Sequence, residues 1–295
     1  MAFQQKREEL GITSLLSAAF IYSFFGILTR TIGFTIPVFF AGTLRNILGC
    51  ILLGSIVLLG KKWISVSRKD LSIIALRSLC GLIGFVGSYY SFYYLPIGTA
   101  YFIFYGVVAV AGFIVGSIFF KEKVTVAKIA ALLLAVIGLA IMYLQRIQTG
   151  SIFYMIFAAI SGVGTALWNS VSKFVSDKYS GVQLNFLDYV FSLIFFMIIS
   201  LTMKEQWTFA IPPTLWLANL LFVFMFISTG QLMIYGFKHL ESQVASIIML
   251  SEVVFGVVLA YFFYHEVLSV STILGGCIIF IGFILPELFH SSQKK

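Results

Sequence analysis

Three ionisable residues stand inside long apolar stretches of this chain. Glu252 lies within Leu250-Ser251-Glu252-Val253-Val254, Arg45 within Leu44-Arg45-Asn46-Ile47, and Asp188 within Phe186-Leu187-Asp188-Tyr189. A charge at the centre of a hydrocarbon layer costs about 2.5–3.5 kcal/mol on insertion scales, so each of these residues needs a cavity or a partner. Glu252 has no polar neighbour that would lift it to an interface. A carboxylate there can bind the cationic part of a solute, carry a coupling proton, or pair structurally with a buried Arg or Tyr. Arg45 and Asp188 occupy matching places with opposite charge. They are expected either to hold helices together as a buried pair or to form a gate salt bridge that breaks in one conformation.

Polar and aromatic residues recur at helical spacing around these charges. Tyr89 and Tyr93 are four apart, as are Tyr90 and Tyr94, and Tyr101 and Tyr105, so each pair shares a helix face. Tyr93 and Tyr94 fall at a span end, where tyrosine belongs to the interfacial belt. Tyr89, Tyr105, Trp168, Asn169 and Gln231 lie deeper. With Glu252 they are expected to line a substrate site, because an aromatic wall beside an acid suits a ring or a cation. Catalytic arrangements are missing from the sequence. His239, His265 and His290 have no nucleophile pattern nearby, and there is no phosphate-binding glycine loop. Cys50, Cys80 and Cys277 fall inside apolar stretches as expected buried thiols, with neither disulfide nor metal-ligand spacing. No enzyme activity, cofactor or metal is expected.

The elements that position these residues follow from composition. Of 295 residues, 60% are hydrophobic and 10% charged, with mean hydropathy +1.05. Soluble domains carry about 25% charged residues. The chain is therefore expected to be an all-α integral membrane protein. Apolar segments fall at roughly 12–29, 37–59, 73–94, 97–119, 125–144, 152–172, 183–203, 214–236, 243–264 and 269–288, about ten helices of spanning length. Pro37, Pro96, Pro212 and Pro213 stand where spans begin, which a first helical turn tolerates. No proline lies mid-span, so helix breaks are expected at glycine. Small residues at Gly112 and Gly116, at Ala127, Ala131 and Ala135, and at Gly275 and Gly276 allow close helix packing, within the chain or in a homodimer.

The chain also repeats itself. Leu95-Pro96-Ile97-Gly98-Thr99-Ala100 leads through an apolar run to Phe119-Phe120-Lys121-Glu122. Leu240-Glu241-Ser242-Gln243-Val244-Ala245 leads likewise to Phe263-Tyr264-His265-Glu266. The offset is roughly 144 residues, with a slip of about one. Leu28-Thr29-Arg30 aligns with Val171-Ser172-Lys173, and Leu44-Arg45 with Leu187-Asp188. Two five-helix halves, 1–145 and 146–295, are expected. An odd number of spans inverts the second half, the arrangement of secondary transporters. Glu122 and Glu266 are read as turn residues capping the span that follows each. With the N-terminus inside, about fifteen Lys and Arg residues, Arg77 among them, fall on one face, and only Arg30, Arg146 and Lys204 on the other. Both termini are thus expected to be cytoplasmic. The net charge of +8 reports this topology and not a nucleic-acid partner.

Each half resembles an EamA-type unit of the drug/metabolite transporter superfamily. Leu250-Ser251-Glu252-Val253-Val254-Phe255, running on to Glu266-Val267-Leu268, is similar to that family's Leu-Glu-Pro-Val-Phe segment leading to Gly-Glu-Arg-Leu. Phe119 through Thr125 is the first-half counterpart. The resemblance implies ten helices, both termini inside, and a central cavity formed mainly by spans 1, 3, 4, 6, 8 and 9. Ala109 and Val253 stand where the family has mid-span prolines, leaving Gly106, Gly112 and Gly256 to supply any flexing. Lys121 and His265 stand where it has glycines. The expected function is secondary transport of a small organic metabolite, an amino acid, nucleoside-like or cationic or zwitterionic solute, across a bacterial cytoplasmic membrane by alternating access. A coupling proton and membrane lipid are the other expected partners. A passive channel or lipid scramblase is the alternative class. The topology is checked by reporter fusions: those after Lys62 and Lys178 should read cytoplasmic, and those after Arg146 and Lys204 external. A cytoplasmic reading at Arg146 would refute the five-span half.

Overall fold

The computed structural model describes residues 2–33, 35–60, 63–95, 97–143, 151–265 and 269–293, with the side chains of 2–5, 30, 97, 98, 260, 264 and 286–293 left aside. The linker at 144–150 and Glu266 lie outside the described residues. The first half comprises α1 (Ala2–Tyr22), α2 (Phe25–Ile32), α3 (Val38–Leu59), α4 (Arg68–Tyr94), α5 (Ile97–Phe119) and α6 (Val126–Tyr143). The second comprises α7 (Ile152–Val171), α8 (Gly181–Thr202), α9 (Pro213–His239), α10 (Ser242–Met249), α11 (Ser251–Tyr264) and α12 (Val270–Gln293). Helices α1 with α2, and α10 with α11, each form one interrupted span. Among the described residues there is no strand. Among the described residues, nine spans are long and apolar enough to cross a membrane, and Val270–Leu285 of α12 is a shorter apolar stretch. Leu58, Leu59, Ile152, Phe262 and Val270 project outward, as side chains facing lipid should.

The two halves interlock about a pseudo-two-fold axis. α3 packs on α8, α5 on α10, and α6 on α12, each helix against its own counterpart. α4 packs on α7 and α1 on α9, a pair of contacts that the axis exchanges. Helix lengths match as well: α3 and α8 both have 22 residues, and α4 and α9 both have 27. Small residues set the distances. A Cβ on Gly112 would lie 2.6 Å from Ser246 Cβ, and one on Gly116 2.8 Å from Gln243 Cγ, so both glycines serve the α5–α10 crossing. Gly112 is therefore a packing residue and not a free hinge. Ala131 and Ala135 are fully buried, and a Cβ on Gly138 would lie 2.7 Å from the Gly275 carbonyl in the α6–α12 contact. Cys277 points outward, unlike the expected buried thiol, while Cys80 is buried.

The helix breaks are not at glycine. The first span breaks at Ser23 and Phe24, where Ser23 Oγ donates to the Phe20 carbonyl at 2.5 Å and Phe24 N–H bonds back only three residues, to Ile21 O at 3.3 Å. The ninth breaks at Leu250. There Leu250 N–H reaches Ile247 O at 3.1 Å, and Val253 N–H reaches Leu250 O at 3.0 Å. These i→i−3 bonds tighten the backbone and restart the helix at Ser251. α5 runs unbroken through the matching region.

The repeat is most visible at its ends. Leu95 and Leu240 terminate α4 and α9 in nearly the same extended conformation, φ −99° and −118° with ψ 154° and 157°. Lys121 and His265 both adopt left-handed backbone, with φ 52° and 55°. This turn lets the next residue fold back, and Glu122 uses it differently from expectation. Glu122 does not cap α6, whose Lys128 N–H is taken by Thr125 Oγ1 at 3.4 Å. It reaches the second half instead, accepting Ser242 N–H at 2.6 Å and Gln243 N–H at 3.0 Å at the start of α10. Lys173 Nζ adds an ion pair at 2.7 Å. The pseudo-two-fold explains the swap, because it brings the end of α5 to the start of α10. Burial pushes the Glu122 carboxyl up, but Lys173 and the two N–H groups outweigh it and hold it below the usual carboxylate range.

A non-glycine residue in the left-handed region costs roughly 1–2 kcal/mol, part of which glycine gives back as chain entropy. Lys121→Gly and His265→Gly should each stabilise the protein by about 0.5–1 kcal/mol, read as a higher thermal midpoint in detergent. Midpoints unchanged or lowered in both would show that neighbouring contacts absorb the strain.

Candidate functional site

A cavity of about 180 Å³ opens among the helices, and both halves line it. α1 and α2 contribute Tyr22 and Phe25. α4 contributes Phe85 and Ser88, α5 Tyr105, α7 Trp168 and Asn169, and α9 Phe226; Glu252 comes from α11. Among the described residues, α6 and α12 contribute none to the lining. α3 and α8 do take part, through Arg45 and Asn46 and through Asn185, Asp188 and Tyr189. They close in because glycines on α3 face rings on α8: a Cβ on Gly49 would collide with Tyr189, and one on Gly42 with Phe196.

Glu252 and Tyr105 meet across the interface between the halves, the phenol donating to Glu252 Oε1 at 2.7 Å. The break at Leu250 sets this geometry. It places Glu252 in the first turn of a new helix, where free N–H groups and the helix dipole favour an acidic group. The carboxylate thus has a phenol, a helix start and a cavity around it, all well inside the span.

Asp188 and Arg45 do not pair with each other. The partner of Asp188 is Arg77, with Nη1 2.6 Å from Oδ2. Trp168 Nε1 donates to the same oxygen at 2.9 Å, and Ser78 Oγ donates to Oδ1. Arg77 also donates from Nε to the Trp168 carbonyl at 3.1 Å, and its guanidinium lies 4.6 Å from the Trp168 ring centre. Sequence reading placed Arg77 with the cytoplasmic loop charges. In the structure it stands well inside α4 and is 2% exposed. Its place within the span drawn at 73–94 was the available signal.

Arg45 has a different environment. It is 6% exposed, its guanidinium lies 5.2 Å from the Phe85 ring centre and 4.7 Å from that of Phe222, and Nη1 has no hydrogen-bond partner. Phe25 joins these rings edge-on at 6.0 Å from Phe85 and 5.6 Å from Phe222. Asn169 is buried with its Oδ1 unpartnered, as is the Tyr189 hydroxyl.

Two candidates fall outside the cavity. Tyr89 donates its hydroxyl to the Gly33 carbonyl and packs beside Phe85, so it ties α4 to the end of the first span. Gln231 donates to the Gly181 carbonyl at 3.3 Å, joining α9 to the start of α8. Both side chains are used up by backbone carbonyls at helix ends, a destination that helical spacing alone does not reveal. Tyr22, Asn46, Asn185 and Tyr189 line the cavity and were missed. Each is a moderately polar residue in an apolar run, a weak signal beside a full charge.

Residues 9–144 and 152–286 each match the model of the EamA-like transporter family. The chain belongs to that family. It is therefore a multi-pass membrane protein with a transport role, and not an enzyme. A solved structure described only as "Crystal structure of protein" superposes with a TM-score of 0.79 over 96% of this chain and 99% of that one, at 13% identity. At that identity the likeness shows the fold alone. No curated protein matches the sequence.

Removing one partner of a buried pair strands the other charge, at about 3–5 kcal/mol. Arg77→Met and Asp188→Asn should each destabilise strongly, with a coupling energy of about 2 kcal/mol or more in a double-mutant cycle read by unfolding in detergent. The same cycle between Arg45 and Asp188 should give coupling near zero. The reverse ranking would restore the Arg45–Asp188 pair.

Proposed function

We propose that this protein is a secondary active transporter of a small organic metabolite, an amino acid, nucleoside-like or other cationic or zwitterionic solute. It works by alternating access across a bacterial cytoplasmic membrane, with both termini on the cytoplasmic side. The observation that carries this reading is the Glu252–Tyr105 contact at 2.7 Å. It joins one residue from each half on the wall of the cavity. A carboxylate in that place is exchanged between a bound solute or proton and its internal partner when the halves, taken as 1–145 and 146–295, rock against each other.

The polar ties at the ends of the bundle support the same reading. The Glu122 bridge to α10 and Lys173 fastens one end. Glu205 fastens another set of termini by accepting Phe39 N–H at 3.2 Å and Phe40 N–H at 2.7 Å at the start of α3. Discrete ties of this kind can be released one set at a time, whereas a passive pore would need a continuous polar path. Tyr105, Trp168 and Asn169 shape the site around Glu252.

Glu252→Gln is nearly isosteric and should fold, as thermal unfolding would show. Solute transport into proteoliposomes should fall about tenfold or more, equivalent to roughly 1.4 kcal/mol of lost differential interaction. If Glu252 carries the coupling proton, the variant should lose accumulation driven by an imposed pH gradient and keep solute-for-solute exchange. Wild-type uptake with wild-type gradient dependence in a well-folded variant would reduce this glutamate to a structural role.

A further inference from the structure

The duplication supplies an internal control for the charges in the cavity. Arg45 and Asp188 are both the eighth residue of their helices, α3 and α8. Arg77 and Phe222 are both the tenth residue of theirs, α4 and α9. Trp168 corresponds to Phe25 at the offset that aligns Arg45 with Asp188. The pseudo-two-fold therefore builds one constellation twice. In the second-half copy, Asp188 has a cationic partner in Arg77 and a hydrogen-bond donor in Trp168. In the first-half copy, Arg45 has Phe222 where a counter-ion would stand, and Phe25 where the indole donor would stand.

A buried cation left with two aromatic faces is incompletely compensated. Cation–π contacts compensate only part of the cost of an unpaired buried charge. Those rings cover the guanidinium faces and cannot take its N–H groups, and Nη1 has no acceptor. The Tyr189 hydroxyl, also unpartnered, lines the same cavity. Asp188 cannot serve, being saturated by Arg77, Trp168 and Ser78. Among the described residues, none supplies an acceptor to Arg45 Nη1.

We infer that Arg45, with the Tyr189 hydroxyl, is a subsite for an anionic group of the transported solute, a carboxylate or phosphate. The inference rests on the transport reading and narrows it. A solute spanning from Glu252 to Arg45 carries a negative group, and purely cationic compounds such as polyamines are excluded. Arg45 also borders a second, largely apolar cleft between α3 and α9, with Leu48, Trp216 and Leu220, through which an anionic lipid headgroup would be the other source of the same chemistry.

The test measures binding and transport separately. Binding to purified protein in phosphatidylcholine nanodiscs is followed by thermal stabilisation with matched probes: the common amino acids against their carboxamides, and nucleoside monophosphates against their nucleosides. Whichever skeleton binds, the anionic member should bind about tenfold or more tightly than its neutral partner. Arg45→Gln should abolish that preference. Tyr189→Phe, which keeps the ring against Gly49, should reduce it about threefold, and covers the case in which Arg45→Gln does not fold. Equal binding of the neutral member overturns the proposal, as does an undiminished preference in Arg45→Gln, or no anionic member binding to wild type. Stabilisation by phosphatidylglycerol, lost in Arg45→Gln while solutes have no effect, reassigns the residue to lipid and also overturns it. Counterflow of the bound probe in proteoliposomes tests the transport reading itself: binding that depends on Arg45 without counterflow sinks that reading and leaves the anion site standing.

Discussion

A polar group taken into hydrocarbon has to find its partner inside the protein, and much of this structure is arranged by that requirement. Asp188 recruits Arg77, Trp168 and Ser78, and in doing so it ties α8 to α4 and α7. Glu252 recruits Tyr105 and thereby links α11 to α5. Glu122 recruits Lys173 and the start of α10. Each bond crosses between helices because a neighbouring helix is the nearest substitute for water. Apolar side chains drive little association here, since lipid tails solvate them as well as protein does. The glycine and alanine contacts determine how closely helices approach, and the buried polar groups determine which helices approach.

The duplicated fold repeats backbone features and then varies the chemistry. Left-handed turns recur at Lys121 and His265 although neither is glycine. Extended caps recur at Leu95 and Leu240. The cavity constellation recurs as well, ionic around Asp188 and aromatic around Arg45. Equal geometry with unequal charge gives the cavity two distinct poles, which on the proposed reading would orient a solute bound between them.

Much of this was legible in the sequence, in a specific way. Span positions, the repeat and the isolation of Glu252 in an apolar run all follow from periodicity and hydropathy, which are local properties. Tyr105 and Glu252 were both expected at one substrate site, but nothing in the sequence paired them. Partners were less legible, because a partner is a property of helix rotation and crossing. Matching positions suggested that Arg45 and Asp188 touch. A two-fold axis instead places each of them against the other half's equivalent of a third helix, and so Asp188 met Arg77. Arg77 was misread because four basic residues, Lys61, Lys62, Arg68 and Lys69, precede it and made it look like one more loop charge. Tyr89 and Gln231 were expected in the cavity but face helix ends at Gly33 and Gly181. Glu122 was recognised as a cap, and only the tertiary crossing could say that it caps α10.

The helix breaks follow from the same constraint. Without proline, and with α5 unbroken, the interruptions occur at Ser23–Phe24 and at Leu250. Freed backbone groups facing lipid would each cost several kcal/mol. Tyr22 and Phe25, which flank the first break, and Met249, Leu250 and Glu252, at and beside the second, line the cavity, and Phe20 meets Phe255 ring to ring across the two interrupted spans at 5.6 Å. Irregular backbone is thus confined to the places where a cavity can solvate it, beside the carboxylate that the proposed mechanism uses. In the proposed mechanism, a change in the protonation or occupancy of Glu252 would act at the helix start that the Leu250 turn creates. That turn is held by i→i−3 bonds and not by a full α-helical ladder, and the proposed mechanism assigns the reorientation of the two parts of the span to it.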